Sequence, residues 1–184
     1  MRKLIAGINM TLDGRFDHTA VDPDEEIHNH YSEQLKNADT ALFGRITYQL
    51  MTYWQTLLQN PSGNKAMDDF ALAIDGIQKI VFSKTLTHTG WHSASIAKQG
   101  LRDEVLALRQ MPGRDILVSS RSIIVGLLNL NLIDELQLCI HPVAAGTGQM
   151  LFEDLNIRSK FALVNLKTFS GGAVLLCYQP LKPV

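Results

Sequence analysis

Three apolar runs in this chain each end in a cluster of glycine, hydroxyl and cationic residues. Leu42-Phe43 runs into Gly44-Arg45-Ile46-Thr47-Tyr48, Ile80-Val81-Phe82 into Ser83-Lys84-Thr85, and Ile116-Leu117-Val118 into Ser119-Ser120-Arg121-Ser122. Where a buried strand gives way to the first turn of a helix, backbone N–H groups lack intrahelical partners. Hydroxyls and a cation beside them complete a seat for phosphate. Three such ends predict one extended anionic ligand lying across the carboxyl edge of a sheet. Taken singly, each has a plainer reading: Gly44 lets a strand turn, Arg45 is a solvated helix charge, and Ser119 and Ser120 are ordinary caps. The fingerprint G-x-G-x-x-G is absent, since Gly146-Thr147-Gly148 lacks a third glycine, and no Gly-Lys-Ser/Thr loop occurs.

For those ends to lie together, the runs before them must be strands of one sheet, with helices returning over its faces. Residues 3–10 read as a buried first strand, followed by the turn signal Asp13-Gly14. A polar helix is expected over 23–36, with Asp22 as N-cap and Pro23 at its first position. Residues 40–43 read as a strand and 45–54 as a helix with Ile46, Leu50, Tyr53 and Trp54 on one face. A surface loop at 59–64 precedes a helix marked by Met67, Phe70, Ala71 and Ile74, then a strand at 79–82. Next come a short strand at 91–96, a helix at 101–111 carrying Val105 and Leu108 inward, a strand at 115–118 and a helix at 123–130. Such alternation marks a mostly parallel sheet wound on both faces. The last third differs. Leu136, Leu138 and Ile140 alternate with Gln137, Cys139 and His141, and two β-rich runs, 160–168 and 173–178, meet at Ser170-Gly171-Gly172. These predict a C-terminal antiparallel hairpin and therefore a mixed sheet.

The 184 residues suit one domain spanning 1–184, long enough for a core without metal or disulfide support. Lys and Arg number 17 against 18 Asp and Glu. No net field therefore draws nucleic acid or an anionic membrane, and attraction for phosphate must be local. No apolar run is long enough to span a bilayer, and Met1-Arg2-Lys3-Leu4-Ile5-Ala6-Gly7 leads into a strand with no cleavage site, so a cytoplasmic enzyme is expected. Cys139 and Cys177 lie in apolar strand-like runs, where free thiols act as small hydrophobes.

In order and spacing the motifs resemble the dihydrofolate reductase superfamily, most closely the branch that contains the reductase domain of bacterial riboflavin biosynthesis. The residues that carry the resemblance are Met10-Thr11-Leu12-Asp13-Gly14, Gly44-Arg45-Ile46-Thr47-Tyr48, Val81-Phe82-Ser83-Lys84-Thr85-Leu86, and Leu132-Ile133-Asp134-Glu135-Leu136 leading to the stretch from His141-Pro142 through Gly148 to Phe152. The resemblance implies an α/β fold of three αβα layers around a mixed, mostly parallel sheet of about eight strands. It implies NADPH as hydride donor, a small pterin-like or aminopyrimidine-like substrate, and commonly a homodimer. By position, Ala6 and Gly14 would border the nicotinamide, with Asp13 shaping the loop beside it. Gly44, Arg45 and Thr47 would take the pyrophosphate and the adenosine-side phosphate, where an Arg fork suits a 2′-phosphate. Ser83, Lys84 and Thr85 would line the adenosine ribose and its phosphate. Ser119, Ser120, Arg121 and Ser122 would offer N–H groups and hydroxyls at a helix N-terminus, and Pro142 and Gly148 would shape the nicotinamide end. One departure stands out. The family usually has Gly-Gly or Gly-Ser after that strand, because pyrophosphate approaches the backbone closely there. Either the serine side chains here crowd the phosphates, or hydroxyls and Arg121 replace what glycine allowed.

Reduction of C=N or C=O needs hydride at carbon and a proton at the heteroatom, with the protein positioning both partners. In dihydrofolate reductases an acid on the first helix anchors the pterin. Counting back from Gly44 puts His28 near that position, with Asp24 and Glu26 close by, and Asp13 is a further candidate acid. A plain surface position for His28 is the simpler reading. No metal site is expected, because His28 and His30 face different sides of a polar helix while His88 and His92 lie in a loop. Arg15, Phe16 and Trp54 fall at the pocket rim by position. The expected function is an NADPH-dependent reductase of a small heterocycle. The alternative is a nucleotide-binding protein of the same fold without turnover. The riboflavin pathway itself is the weaker expectation, since no zinc-deaminase sequence precedes the motifs.

Overall fold

Strand β1 (Leu4–Thr11) is largely covered on both faces and wholly apolar on the one that carries Leu4, Ala6, Ile8 and Met10, which puts it deep inside a sheet. The computed structural model describes residues 1–181. After β1 come the short β2 (Arg15–Phe16), α1 (Glu25–Asn37), β3 (Ala38–Gly44), α2 (Arg45–Met51), α3 (Tyr53–Gln59), α4 (Lys65–Gly76), β4 (Gln78–Phe82) and β5 (Ala94–Ile96). The second half holds α5 (Leu101–Gln110), β6 (Asp115–Val118), α6 (Arg121–Asn129), β7 (Glu135–His141), β8 (Gln149–Met150), β9 (Phe161–Thr168) and β10 (Val174–Pro180). The main sheet has eight strands in the order β5-β4-β3-β6-β1-β7-β10-β9. All neighbours from β5 to β7 are parallel, and β10 is antiparallel to both β7 and β9. The expected mixed sheet with its C-terminal hairpin is the fold observed.

Alternate residues of each inner strand feed different layers. Leu4, Ala6, Ile8 and Met10 pack with Leu42, Ile116 and Val118 against Val105 and Leu108 of α5 and Ile124 and Leu127 of α6. On the opposite face, Ala41, Phe43, Val81 and Leu117 meet Leu35 of α1 and Ile74 of α4. Cys139 and Cys177, both free, are buried with Ile27, Leu175 and Phe169.

Several local readings need correction. Helix α1 starts at Glu25, capped by Asp24, whose Oδ1 accepts from the Ile27 N–H at 2.9 Å. Asp22-Pro23 mimics a cap, but Asp24 also accepts from the Gly171 N–H with Oδ2, fixing the helix start to the β9–β10 turn. The single helix expected over 45–54 is two, joined at Thr52. Its expected face holds for Leu50 and Trp54, which are half-buried, and fails for Ile46 and Tyr53, 66% and 53% exposed, whereas Thr47 and Tyr48 are buried. Tyr48 sets the phase by turning toward the fully buried Trp91, 6.4 Å between rings. Helix α6 takes in Arg121 and Ser122, and the β2–β8 ribbon pairs Arg15 with Met150 and Phe16 with Gln149.

The edge strand β9 leaves Leu163 and Leu166 about half exposed. Three apart, they would face opposite sides of a regular strand. The pairing of Leu163 with Tyr178 and Leu166 with Leu176 shows that a bulge brings both to one face.

Candidate functional site

The three strand ends read from the sequence belong to β4, β3 and β6, which are neighbours in the sheet. Beside them the sheet splits. Strand β6 accompanies β1 only to the Ala6–Val118 pair, whereas β7 runs with β1 as far as Thr11–His141. The next residue, Gly7, carries no side chain, and a Cβ there would lie 3.7 Å from Tyr31 Cε1 and 3.8 Å from Gln34 Oε1.

Over this crevice opens a cavity of about 290 Å³, floored by β1, β3 and β6 and walled by α1, α2, α3 and α4. Its aromatic wall is built by Trp54 and Phe70, 4.5 Å between ring centroids, with the His28 ring edge-on to both at 5.8 and 6.1 Å. Phe16 lies on the lining as expected for a rim residue, while Arg15 is held by Asp13 and the Gly148 carbonyl. His28 is therefore part of the cavity wall rather than of the free surface, and burial lowers its pKa. Deeper in, Asn9 Oδ1 accepts from the Tyr31 hydroxyl at 3.1 Å and lies 3.1 Å from Nε2 of the buried His141. Burial pushes the Tyr31 phenol well above its ordinary pKa and lowers that of His141. No Asp, Glu, Lys or Arg is among the described residues that line the cavity.

At the strand ends the side chains divide into those that face outward and those already committed. Arg45 is exposed at the start of α2, with Nη1 3.2 Å from Gln49 Oε1. Thr47 and Ser119 line the cavity, and Ser122 is exposed in the first turn of α6. Lys84 and Ser83 line a second cavity of about 330 Å³ between the end of β4 and the start of α5. The Ser83 hydroxyl also accepts from the Thr85 and Leu86 N–H groups, so it holds the turn. A Cβ on Gly44 would stand 3.1 Å from Ser122 Oγ, so the glycine allows the ends of β3 and β6 to close up.

Two expected phosphate contacts have other work. Ser120 is buried, and its Oγ accepts from the Gly44 N–H at 2.8 Å. It therefore neither projects into the crevice nor caps α6, whose opening turn has no side-chain cap. Arg121 is buried too; its Nε donates to the Met150 carbonyl at 2.7 Å and its Nη2 lies 2.9 Å from Asp154. It turns toward the β8 segment, away from a place where it could substitute for glycine.

The candidate acids are likewise engaged. Asp13 accepts from the Thr11 hydroxyl at 2.6 Å and from the Ala145 and Gly146 N–H groups at 3.1 and 2.9 Å, which holds its carboxyl well below the usual carboxylate range. It pins two loops and has no proton to give near neutral pH. Asp24 caps α1, and Glu26 accepts from the Ser170 N–H at 2.8 Å. Gly14 and Gly148 sit at positive φ in the pinned loops, Pro142 packs beside Gly172, and Ala6 is buried in the layer beneath the crevice. Sequence reasoning misses Asn9, Tyr31, Gln34, Phe70 and His141 as site residues. The one local signal for them is the alternation of β1, which sets Gly7 and Asn9 on the face opposite Ala6 and Ile8.

A family model described as the RibD C-terminal domain matches residues 2–175. The uncharacterized protein YyaP of Bacillus subtilis (strain 168) is 32% identical over 186 residues, covering 97% of this chain and 95% of its own. YwjB of the same strain, also uncharacterized, is 26% identical and covers 96% and 97%. A Shewanella sp. PV-4 structure with a provisional riboflavin-biosynthesis name superposes with a TM-score of 0.75 at 17% identity, over 98% of this chain and 99% of that one. A Thermotoga maritima structure gives a TM-score of 0.62 at 17% identity, over 98% of this chain and 57% of that one. It is named as a diaminohydroxyphosphoribosylaminopyrimidine deaminase/5-amino-6-(5-phosphoribosylamino)uracil reductase.

Proposed function

We propose that this chain, which belongs to the RibD C-terminal domain family, is a cytoplasmic NADPH-dependent reductase of a small heterocycle, pterin-like or aminopyrimidine-like. The observation that carries this reading is continuity: Thr47 and Ser119 stand at the ends of β3 and β6 and also line the cavity. A ligand lying along the strand ends would therefore enter the cavity at one end. The residues fit a dinucleotide phosphate there, because α6 opens without a side-chain cap and Gly44 brings the β3 and β6 ends together. Arg45, Lys84 and Ser122 would hold its phosphates. When bound, NADPH supplies the hydride. The chain's own part is to orient the acceptor ring between the Trp54–Phe70 wall and the Asn9–Tyr31 pair and to exclude water.

The test is an absorbance assay of NADPH consumption with pterin and aminopyrimidine acceptors, run beside titrations of NADPH and NADH. Acceptor-dependent oxidation, with NADPH preferred, is expected. NADPH that binds and is never oxidised would favour the second reading, a nucleotide-binding protein without turnover. The commitment of Asp13, Asp24 and Glu26 to backbone amides keeps that reading alive. We also propose a homodimer in which a second copy covers Leu163 and Leu166 on the edge strand, since such an apolar edge invites pairing. Sedimentation should give a dimer for the native chain and a monomer for Leu163→Lys/Leu166→Lys; a native monomer would refute it.

A further inference from the structure

We infer that the acceptor this cavity admits is uncharged: a neutral heteroaromatic ring with no phosphate, carboxylate or fixed cation inside the cavity. The inference rests on the cavity being the acceptor site and names the charge class of what enters it. A charge moved from water into an apolar enclosure must find a counter-charge or dense hydrogen bonding there. Among the described residues the lining supplies no carboxylate, ammonium or guanidinium group.

Of the charged groups around the mouth, Asp22 lies exposed between the lining residues Val21 and Pro23 and Arg45 meets only Gln49, both outside the lining, while the others are partnered. Asp24 and Glu26 bond to the amides of the β9–β10 turn, Asp13 to those of Ala145 and Gly146, Arg15 to Asp13, and Arg121 to Asp154. The remaining polar handles suit a neutral ring. Asn9 Oδ1 is taken by Tyr31, while its Nδ2 makes no protein hydrogen bond among the described residues and can donate to a ring carbonyl. Trp54, Phe70 and the His28 imidazole offer faces and edges rather than charge, and burial keeps that imidazole in its neutral form at pH 7. A phosphoribosyl group, of the kind named for the Thermotoga maritima relative, would find no lysine or arginine among the described lining residues.

The experiment is calorimetric titration of the cofactor-free protein with three probes sharing one ring: neutral quinoxalin-2-one, anionic quinoxaline-2-carboxylate and cationic 1-methylquinoxalinium. The neutral ring should bind at least about tenfold more tightly than either charged one. Met51→Lys, or Leu50→Lys should that variant melt early, places a cation on the lining and should strengthen the anionic ring about tenfold. A charged ring that binds the native protein as tightly as the neutral one would overturn the inference. So would a neutral ring that fails to bind at millimolar concentration, or two folded lysine variants with the native order of affinities. NADPH oxidation is read separately. No oxidation with the ring order intact removes the reductase reading alone, whereas turnover of phosphorylated rings removes the charge rule alone.

Discussion

The strand-end rim and the cavity touch at Thr47 and Ser119, yet they are built on opposite plans. The rim is polar, and each seat comes from one short stretch of chain, as in Gly44 to Thr47 or Ser119 to Ser122. The cavity is apolar, and its wall is drawn from β1, α1, α2, α3 and α4 together. Anion binding by helix amides is local chemistry, because a strand–helix junction carries its own donors. Holding a neutral ring depends on surfaces that exist only once distant elements have packed. The two regions should therefore fail separately.

The sharpest separation is expected at Gly7. A Cβ there fits, at 3.7 Å from Tyr31 Cε1, but the branched carbons of leucine would overlap Tyr31 or occupy the cavity. Gly7→Leu should cut ring binding and turnover by about a hundredfold or more, while NADPH affinity changes by less than about threefold. Equal loss of both ligands in titration would mean that rim and cavity are one cooperative unit.

Arg45→Ala is the converse. Its exposed fork opens α2 beside Gly44, and losing a charged hydrogen bond to a 2′-phosphate should weaken NADPH by about 1.5–3 kcal/mol. NADH and ring binding should hardly move. If NADH weakens equally in the same titrations, Arg45 serves the pyrophosphate or the helix and gives no cofactor selectivity.

Ser120→Gly probes the seam between the regions. With the hydroxyl gone, the Gly44 N–H loses its acceptor, so urea unfolding should reveal a loss of about 1–3 kcal/mol with no gain in NADPH affinity. Tighter NADPH binding would revive the crowding expectation.

These residues also mark how far the chain can be read in one dimension. Apolar runs, their alternation with helices and the β-rich final third are legible, because strand and helix periods are local properties. So are the residue types at each strand end. Their partners are not: Ser120 bonds to a group 76 residues away and Arg121 to one 29 away, and types alone do not tell a phosphate ligand from a structural clamp. Asp24 reads as a candidate acid and is a cap, since Asp22-Pro23 just before it carries the same capping signal. In the cavity, Asn9 and His141 stand 132 residues apart, joined only by the parallel pairing of β1 with β7.

The smallest expected effect is a difference in pH response. His28, His30 and His141 each have a pKa lowered from 6.5, with burial the largest cause in all three. An unfolded chain takes up protons at these sites as pH falls through 6.5, while the folded chain resists until a lower pH. The unfolded state then binds more protons, so stability rises with pH across that window and falls as pH drops below about 6.5. Carboxylates such as Asp13, Asp17 and Asp68 have lowered pKa values, so their contribution is lost only near and below 3.8. Urea midpoints should therefore begin to drop between about pH 7 and 5.5, before any of these carboxylates titrates. His28 alone of the three histidines lines the cavity. Binding of a neutral ring should weaken over the same interval, and His28→Gln should flatten that dependence. NADH, which meets the rim and carries no 2′-phosphate to titrate, should bind equally at both pH values. A ring affinity that stays level while stability falls would take His28 out of the acceptor's surroundings and leave it a packing residue of the wall.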